Sequence, residues 1–142
     1  MRILVSACLL GVSCRYDSQS RPDSRVLALC ARHTLIPVCP EQLGGLPTPR
    51  VPCERRGRRV ISREGADRTA EYARGAEETL WLCRLFQCEA ALLKAKSPSC
   101  GTGRIYDGTF SGTLCPGDGV TAERLKKEGI PVWTEETLPD GL

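Results

Sequence analysis

Short aliphatic runs that alternate with helical patterns are the feature that most restricts the fold of this chain. The runs cover residues 3–5, 34–39, 89–95 and 130–136, and each has the length of a strand rather than of a helix. Strands of this kind, separated by helices, are typical of a parallel sheet with helices on its faces. We therefore predict an α/β fold, a mainly parallel sheet flanked by helices in a Rossmann-like three-layer sandwich.

The clearest predicted helix covers residues 67–87, where apolar side chains repeat on one face and charged side chains on the other. A shorter helix over 25–33 is expected to begin at Ser24 as its N-cap. Another, over 119–130, is expected to have Thr121 as its cap and Gly129 as its stop. Between 41 and 68 the chain is rich in Gly, Pro and Arg, which indicates a long connection of the kind that often serves a function.

The length of 142 residues and the 41% hydrophobic content suit one globular domain, which we assign to residues 1–142. No apolar run reaches the roughly 20 residues that span a bilayer, and the N-terminus lacks the pattern of a secretory signal. We therefore expect a cytoplasmic protein with no membrane partner. The net charge of +3 is too small to indicate a nucleic-acid polymer as partner. We interpret the basic cluster of Arg55, Arg56, Arg58 and Arg59 as a solvated loop.

Nine cysteines are the strongest chemical signal in the chain. An odd number of cysteines in a protein expected to be cytosolic excludes a complete set of internal disulfides. Cys8, Cys39 and Cys100 each follow the end of a predicted strand, and ligands of parallel sheets bind beyond the carboxyl ends of the strands. We expect these three thiols to meet there, and thiolates so close together need a positive group such as zinc or an iron-sulfur cluster.

The remaining cysteines have simpler interpretations. Four of them are interpreted as small buried hydrophobes: Cys30, Cys83, Cys88 and Cys115. Cys14 and Cys53 lie in loops, and either could be a fourth ligand or a resolving thiol, although we favour no metal role for them.

Polar side chains next to the three thiols suit proton transfer. Glu41 lies two residues after Cys39, and Ser97 and Ser99 lie beside Cys100. A carboxylate supplies an acid or a base, and hydroxyls position water. The alternative for Glu41 is an ordinary solvated carboxylate. Nearby glycines, among them Gly44, would let the backbone approach a bulky inorganic group.

Four motifs of the chain resemble those of the thiouracil desulfidase family, formerly filed as a domain of unknown function. They are SACLLG-x-x-CRYD, PVCPE-x-LGGLPTPR, LLKAKSPSCG and IYDGTFSGTL-x-x-GDGVTA, in the family's order and nearly from end to end of the chain. The resemblance implies a compact α/β domain that binds a 4Fe-4S cluster through only three cysteines, here Cys8, Cys39 and Cys100. It also implies catalytic roles for Glu41 and for Ser97 or Ser99.

The reaction that the resemblance implies is a non-redox desulfuration of a thiolated nucleobase such as thiouracil. In that reaction the thiocarbonyl sulfur coordinates the iron that lacks a protein ligand, water replaces sulfur at the ring carbon, and hydrosulfide is released. The implied partners are the small thiolated base and the cluster-assembly machinery. The chain departs from the family in having Ser18 where glycine is common and Cys53 as an added thiol.

Two other functions stay open at the level of sequence. One is a non-catalytic protein that binds an iron-sulfur cluster or a metal. The other is a metal-free sulfur-transfer protein in which Cys100 carries a persulfide.

Overall fold

Four parallel strands form the central sheet of the computed structural model, which describes residues 1–142. The strands in chain order are β1 (Arg2–Ser6), β2 (Thr34–Val38), β3 (Cys53–Arg56), β4 (Arg59–Ser62), β5 (Ala90–Leu93), β6 (Arg104–Tyr106), β7 (Leu114–Pro116) and β8 (Val132–Thr134). The helices are α1 (Ser24–Ala28), α2 (Pro40–Leu43), α3 (Thr69–Leu85) and α4 (Val120–Lys127). The central sheet has the order β2-β1-β5-β8, while β3 pairs with β4 and β6 with β7 in separate antiparallel hairpins.

Strand β1 lies between β2 and β5, and its side chains alternate between two packed layers. Ile3 and Val5 pack in one core cluster with Val26 of α1. Leu4 packs in a second cluster with Leu80 of α3 and with buried residues of α4. Helices thus cover both faces of the sheet, which confirms the predicted parallel α/β fold. No helix combines the length and apolar character that crossing a membrane requires.

The first helix is shorter than predicted, and this changes the environment of Cys30. Asp23 is the N-cap of α1, since its side chain accepts a hydrogen bond from the Arg25 amide. After Ala28 the chain tightens into a 3-10 turn over residues Leu29–Ala31. The tighter turn changes the direction in which successive side chains point, so Leu29 is buried and Cys30 is exposed. The prediction that Cys30 is a core residue is therefore wrong, whereas Cys83 is buried as predicted.

The long connection between 41 and 68 contains helix α2 and the β3–β4 hairpin. The predicted basic loop is part of this hairpin, in which Arg56, Arg58 and Arg59 are exposed as expected, whereas Arg55 is partly buried. Arg55 donates to the Asp118 carbonyl at 2.7 Å and pairs with Glu123 at 2.9 Å. Arg56 donates to the Gly108 carbonyl at 2.7 Å. These contacts attach the hairpin to the rest of the domain.

The predictions for the two ends of α4 have opposite outcomes. Gly119, not Thr121, is the N-cap of α4, whereas Gly129 follows the helix with a φ of 79°, as a stop residue should. Ser18, which stands where glycine is common in the family, has a φ of 63°. This value lies in the left-handed region that glycine adopts without strain.

Helices α2 and α3 contact each other through their backbones. A Cβ atom on Gly44 would lie 2.0 Å from the Glu71 carbonyl oxygen, and one on Gly75 would lie 2.0 Å from the Pro40 carbonyl oxygen. The prediction that Gly44 faces an inorganic group is therefore wrong, because it faces α3. This contact fixes the position of α2, which begins directly after Cys39.

Replacing Gly75 with alanine should destabilise the protein by about 2 kcal/mol. Alanine favours a helix interior by roughly 1 kcal/mol over glycine, but here the added methyl group overlaps the backbone of α2, a form of overpacking. Urea unfolding followed by circular dichroism measures the difference. Ala73→Gly, at an exposed position of the same helix, is the control and should cost about 1 kcal/mol from helix propensity alone. A Gly75→Ala variant more stable than the parent would contradict the close contact.

Candidate functional site

The carboxyl ends of β1, β2 and β5 border a cavity of about 430 Å³. Cys8 lies in a 3-10 turn after β1, Cys39 directly follows β2, and Cys100 lies in the loop after β5. All six residues singled out in the sequence line this cavity: Cys8, Cys39, Glu41, Ser97, Ser99 and Cys100. The structure therefore brings together side chains that are far apart in the sequence.

The loop that carries Cys100 packs against the beginning of α4. The Ser99 carbonyl accepts hydrogen bonds from the amides of Thr121 and Ala122 at 2.9 and 3.2 Å. A Cβ atom on Gly119 would lie 2.4 Å from the Ser99 carbonyl carbon, so only glycine fits there. The GDGVTA motif thus supports the third cysteine, although it contributes no side chain to the cavity wall.

Burial and hydrogen bonding keep the thiols of Cys39 and Cys100 protonated in the metal-free protein. Cys100 is 5% exposed, and loss of solvation raises the pKa of its thiol to about 11. The hydroxyl of Ser6 donates to the Cys100 sulfur at 3.5 Å. Hydrogen bonding to the Cys14 thiol, together with burial, raises the pKa of Cys39 far above its usual range. Metal binding must therefore displace protons from these thiols.

Both oxygens of the Glu41 carboxylate are held by neighbouring side chains. Arg50 Nε donates to Glu41 Oε1 at 2.9 Å, and Ser99 Oγ donates to Glu41 Oε2 at 2.8 Å. The side chains of Arg50 and Glu41 are only 7% and 15% exposed, so the ion pair is well shielded from solvent. The alternative of an ordinary solvated carboxylate for Glu41 does not fit this environment.

The two serines have different positions in the hydrogen-bond network. Because the single hydroxyl proton of Ser99 is donated to Glu41, Ser99 Oγ is an acceptor for Ser97 Oγ, which lies 3.3 Å away. Ser97 Oγ in turn accepts the Cys100 amide at 2.7 Å. Ser99 is 1% exposed, whereas Ser97 is partly exposed. Ser97 is therefore the more accessible end of a Ser97–Ser99–Glu41 chain.

Arg50 also links three segments around the cavity. Its Nη1 donates to the Pro47 carbonyl at 3.1 Å and to Thr48 Oγ1 at 3.0 Å, and its Nη2 donates to the Cys14 carbonyl at 3.0 Å. Sequence analysis did not single out Arg50, although it ends the LGGLPTPR motif. Its role depends on contacts across the fold that residue spacing does not reveal.

Two further cysteines line the same cavity. Cys14 is 3% exposed and lies beside Cys39, whose sulfur donates to the Cys14 carbonyl at 3.7 Å. Cys53 is 9% exposed and lies near Tyr72, a buried residue of α3 that also lines the cavity. The cavity therefore holds five thiols, of which three follow strands of the central sheet.

The arrangement of donors does not suit a single metal ion. No three Cys, His, Asp or Glu side chains surround a common point closely enough to bind one ion. His33, the only histidine, contacts the N-terminal amine instead of the cavity. In an iron-sulfur cluster each thiolate binds a different iron, so thiols spread around a cavity fit that group better than they fit zinc.

Comparisons with known proteins agree over nearly the whole chain. Residues 3–137 match the family described as 2-thiouracil desulfurase. The uncharacterized protein YbbK of Bacillus subtilis (strain 168) is 40% identical over an alignment of 150 positions that covers 99% of this chain and 99% of that protein. A solved structure of the 4Fe-4S-dependent thiouracil desulfidase TudS has 49% identity and a TM-score of 0.92, with 98% of this chain and 93% of that chain covered.

These matches confirm the resemblance that the four sequence motifs indicated. The family match covers far more than half of the chain, and the two relatives are similar over their full domains. This chain therefore belongs to the 2-thiouracil desulfurase family.

Proposed function

We propose that this protein is a desulfidase that removes sulfur from a thiolated nucleobase such as thiouracil, by hydrolysis and without net redox change. The observation that carries the proposal is the meeting of Cys8, Cys39, Cys100 and Glu41 at one cavity. The similarity to TudS, a 4Fe-4S-dependent thiouracil desulfidase, supports both the reaction and the cofactor. The product would be the oxygen analogue of the base together with hydrosulfide.

The residues around the cavity fit a 4Fe-4S cluster held by Cys8, Cys39 and Cys100. Soft thiolates are the ligands that iron-sulfur clusters prefer, and the three thiols come from separate structural elements at one sheet edge. When bound by these three cysteines, the cluster would supply Lewis-acid chemistry toward the thiocarbonyl group of the substrate.

Glu41 is proposed as the general base that activates the attacking water. Arg50 fixes one carboxylate oxygen and balances its charge in a poorly solvated site. In the proposed reaction a water molecule in the cavity donates a hydrogen bond to a remaining lone pair of Glu41, which takes its proton as the oxygen attacks the ring carbon. The ordered ion pair reduces the motion that would otherwise move the base away from the water.

The serines are proposed to transfer and position protons between the substrate and Glu41. Ser97, the partly exposed member, contacts the substrate, and Ser99 connects it to the carboxylate. We therefore propose Ser97, rather than Ser99, as the serine that contacts the thiolated nucleobase.

The two competing functions explain fewer of these contacts. A persulfide carrier needs a reactive thiolate, but burial and the raised pKa of Cys100, about 11, leave that thiol a poor nucleophile near neutral pH. A non-catalytic cluster protein has no need for a shielded Arg50–Glu41–Ser99 network.

The nine free cysteines fit a reducing compartment. A cytoplasmic location and delivery of the cluster by assembly machinery therefore belong to the same proposal.

Replacing Cys39 with serine should prevent cluster binding. The hydroxyl of serine does not ionise as a thiol does and is a poor ligand for iron. Iron content and absorbance in the blue visible region, measured after anaerobic reconstitution, give the result. Cys30→Ser, at an exposed thiol outside the cavity, is the matched control and should retain the cluster. Full iron content in Cys39→Ser would exclude Cys39 as a ligand.

Glu41→Gln should retain the cluster but release hydrosulfide from 2-thiouracil about 100-fold more slowly, since positioned general bases typically contribute that much or more. Glutamine keeps the size and an acceptor oxygen but cannot take a proton. Glu64→Gln, on the exposed surface, should have parental activity. Parental turnover in Glu41→Gln would refute the proposed base.

Cluster loading should become more favourable as the pH rises from about 6 to 9. The raised pKa values of Cys39 and Cys100 mean that both thiols are protonated in this range, and each must lose its proton to bind iron. Each proton displaced weakens apparent binding by up to about tenfold per pH unit of acidification. Iron retained against a fixed concentration of chelator, measured across this range, tests the trend. Retention that is flat or rises on acidification would contradict it.

A further inference from the structure

The loop between β6 and β7 places an aromatic ring in the wall of the cavity. Phe110 lines the cavity and is partly exposed. It belongs to none of the three hydrophobic core clusters. Its φ of 56° lies in the left-handed region that residues other than glycine rarely adopt. Such a conformation persists only where neighbouring contacts enforce it.

A buried carboxylate supplies the main enforcing contact. Glu54 of β3 is 8% exposed, and its Oε1 accepts hydrogen bonds from the amides of Gly108 and Phe110 at 2.9 and 3.1 Å. Burying a carboxylate is unfavourable unless donors satisfy it, and these donors are the backbone of the loop that carries Phe110. The conformation of the loop is thus fixed from the neighbouring hairpin.

Two arginines fix the ring itself. The guanidinium carbons of Arg56 and Arg63 lie 6.0 and 5.7 Å from the centroid of the Phe110 ring, within the range of cation–π attraction. Arg56 also donates to the Gly108 carbonyl at 2.7 Å. The ring therefore lies beside charged side chains and outside the core clusters.

We propose that Phe110 is a specificity residue that stacks on the ring of a planar thiolated pyrimidine, and that Glu54 is the positioning residue that holds it there. The inference rests on the proposed function, because it takes the substrate to be a nucleobase. Offset stacking between an aromatic side chain and a base tolerates many ring substituents but requires a flat conjugated ring. The cavity should therefore discriminate against thiocarbonyl compounds whose rings are puckered.

Binding of two matched compounds tests this directly. 2-Thiouracil and 5,6-dihydro-2-thiouracil carry the same thiocarbonyl and ring N–H groups, but only the first has a flat conjugated ring. Rapid-mixing titration of the anaerobically cluster-loaded protein, read before appreciable hydrosulfide is released, should show about tenfold tighter binding of the planar compound, the usual scale of base stacking on an aromatic side chain. In Phe110→Leu this preference should fall to about twofold or less, because leucine offers apolar area without a flat face.

Five further variants separate stacking from general damage to the cavity. Phe110→Tyr retains the ring and should keep the preference. Phe86→Leu removes an exposed aromatic outside the cavity and should also keep it. Glu54→Ala should lose the preference for the planar compound. Adding Phe110→Leu to Glu54→Ala should cause no further loss of that preference. Glu54→Gln retains an acceptor oxygen and should preserve most of the preference.

The binding ratio decides the inference independently of catalysis. Equal binding of the two compounds by the parent protein, or an unchanged preference in Phe110→Leu, overturns the role of Phe110. An unchanged preference in Glu54→Ala overturns the positioning role of Glu54. Absence of hydrosulfide release by the cluster-loaded parent would instead refute the proposed function, and the binding ratio would still be measured.

Discussion

The parallel direction of β1, β2 and β5 is the constraint on which the rest of this structure depends. Because the three strands run the same way, the segments that follow them leave the sheet at one edge, and each delivers a cysteine there. The cavity is then shaped by what supports those segments. Backbone contact with α3 fixes α2 after Cys39, and the beginning of α4 holds the loop of Cys100. Strands of opposite direction would send these segments to opposite edges.

Charge compensation gives the site its second constraint. A carboxylate with little exposure is stable only with a partner, and Arg50 serves Glu41 while backbone amides serve Glu54. The two carboxylates have different consequences. Arg50 holds the Glu41 carboxylate in a fixed position at the cavity, and Glu54 fixes the loop that carries Phe110 in the cavity wall. Burial and its compensating contacts hold both carboxylates in fixed positions. A reaction inside a cavity requires such fixed geometry.

Features of the fold and of the site that follow from local rules could be predicted from the sequence. Features set by tertiary contacts could not. Short aliphatic runs and the direction rule for parallel sheets were enough for the fold and for the meeting of Cys8, Cys39 and Cys100. The exposure of Cys30 depends on a helix that tightens into a 3-10 turn, and the sequence pattern does not mark that change. The position of Cys14 beside Cys39 depends on a loop held by Arg50, a contact between distant segments.

A crystal structure of the cluster-loaded protein, determined without oxygen, tests the central claim most directly. We expect a 4Fe-4S cluster bound to the sulfur atoms of Cys8, Cys39 and Cys100, with one iron that has no protein ligand and faces the open part of the cavity. Coordination of that iron by the nearby thiol of Cys14, or a cluster bound by a different set of cysteines, would contradict it.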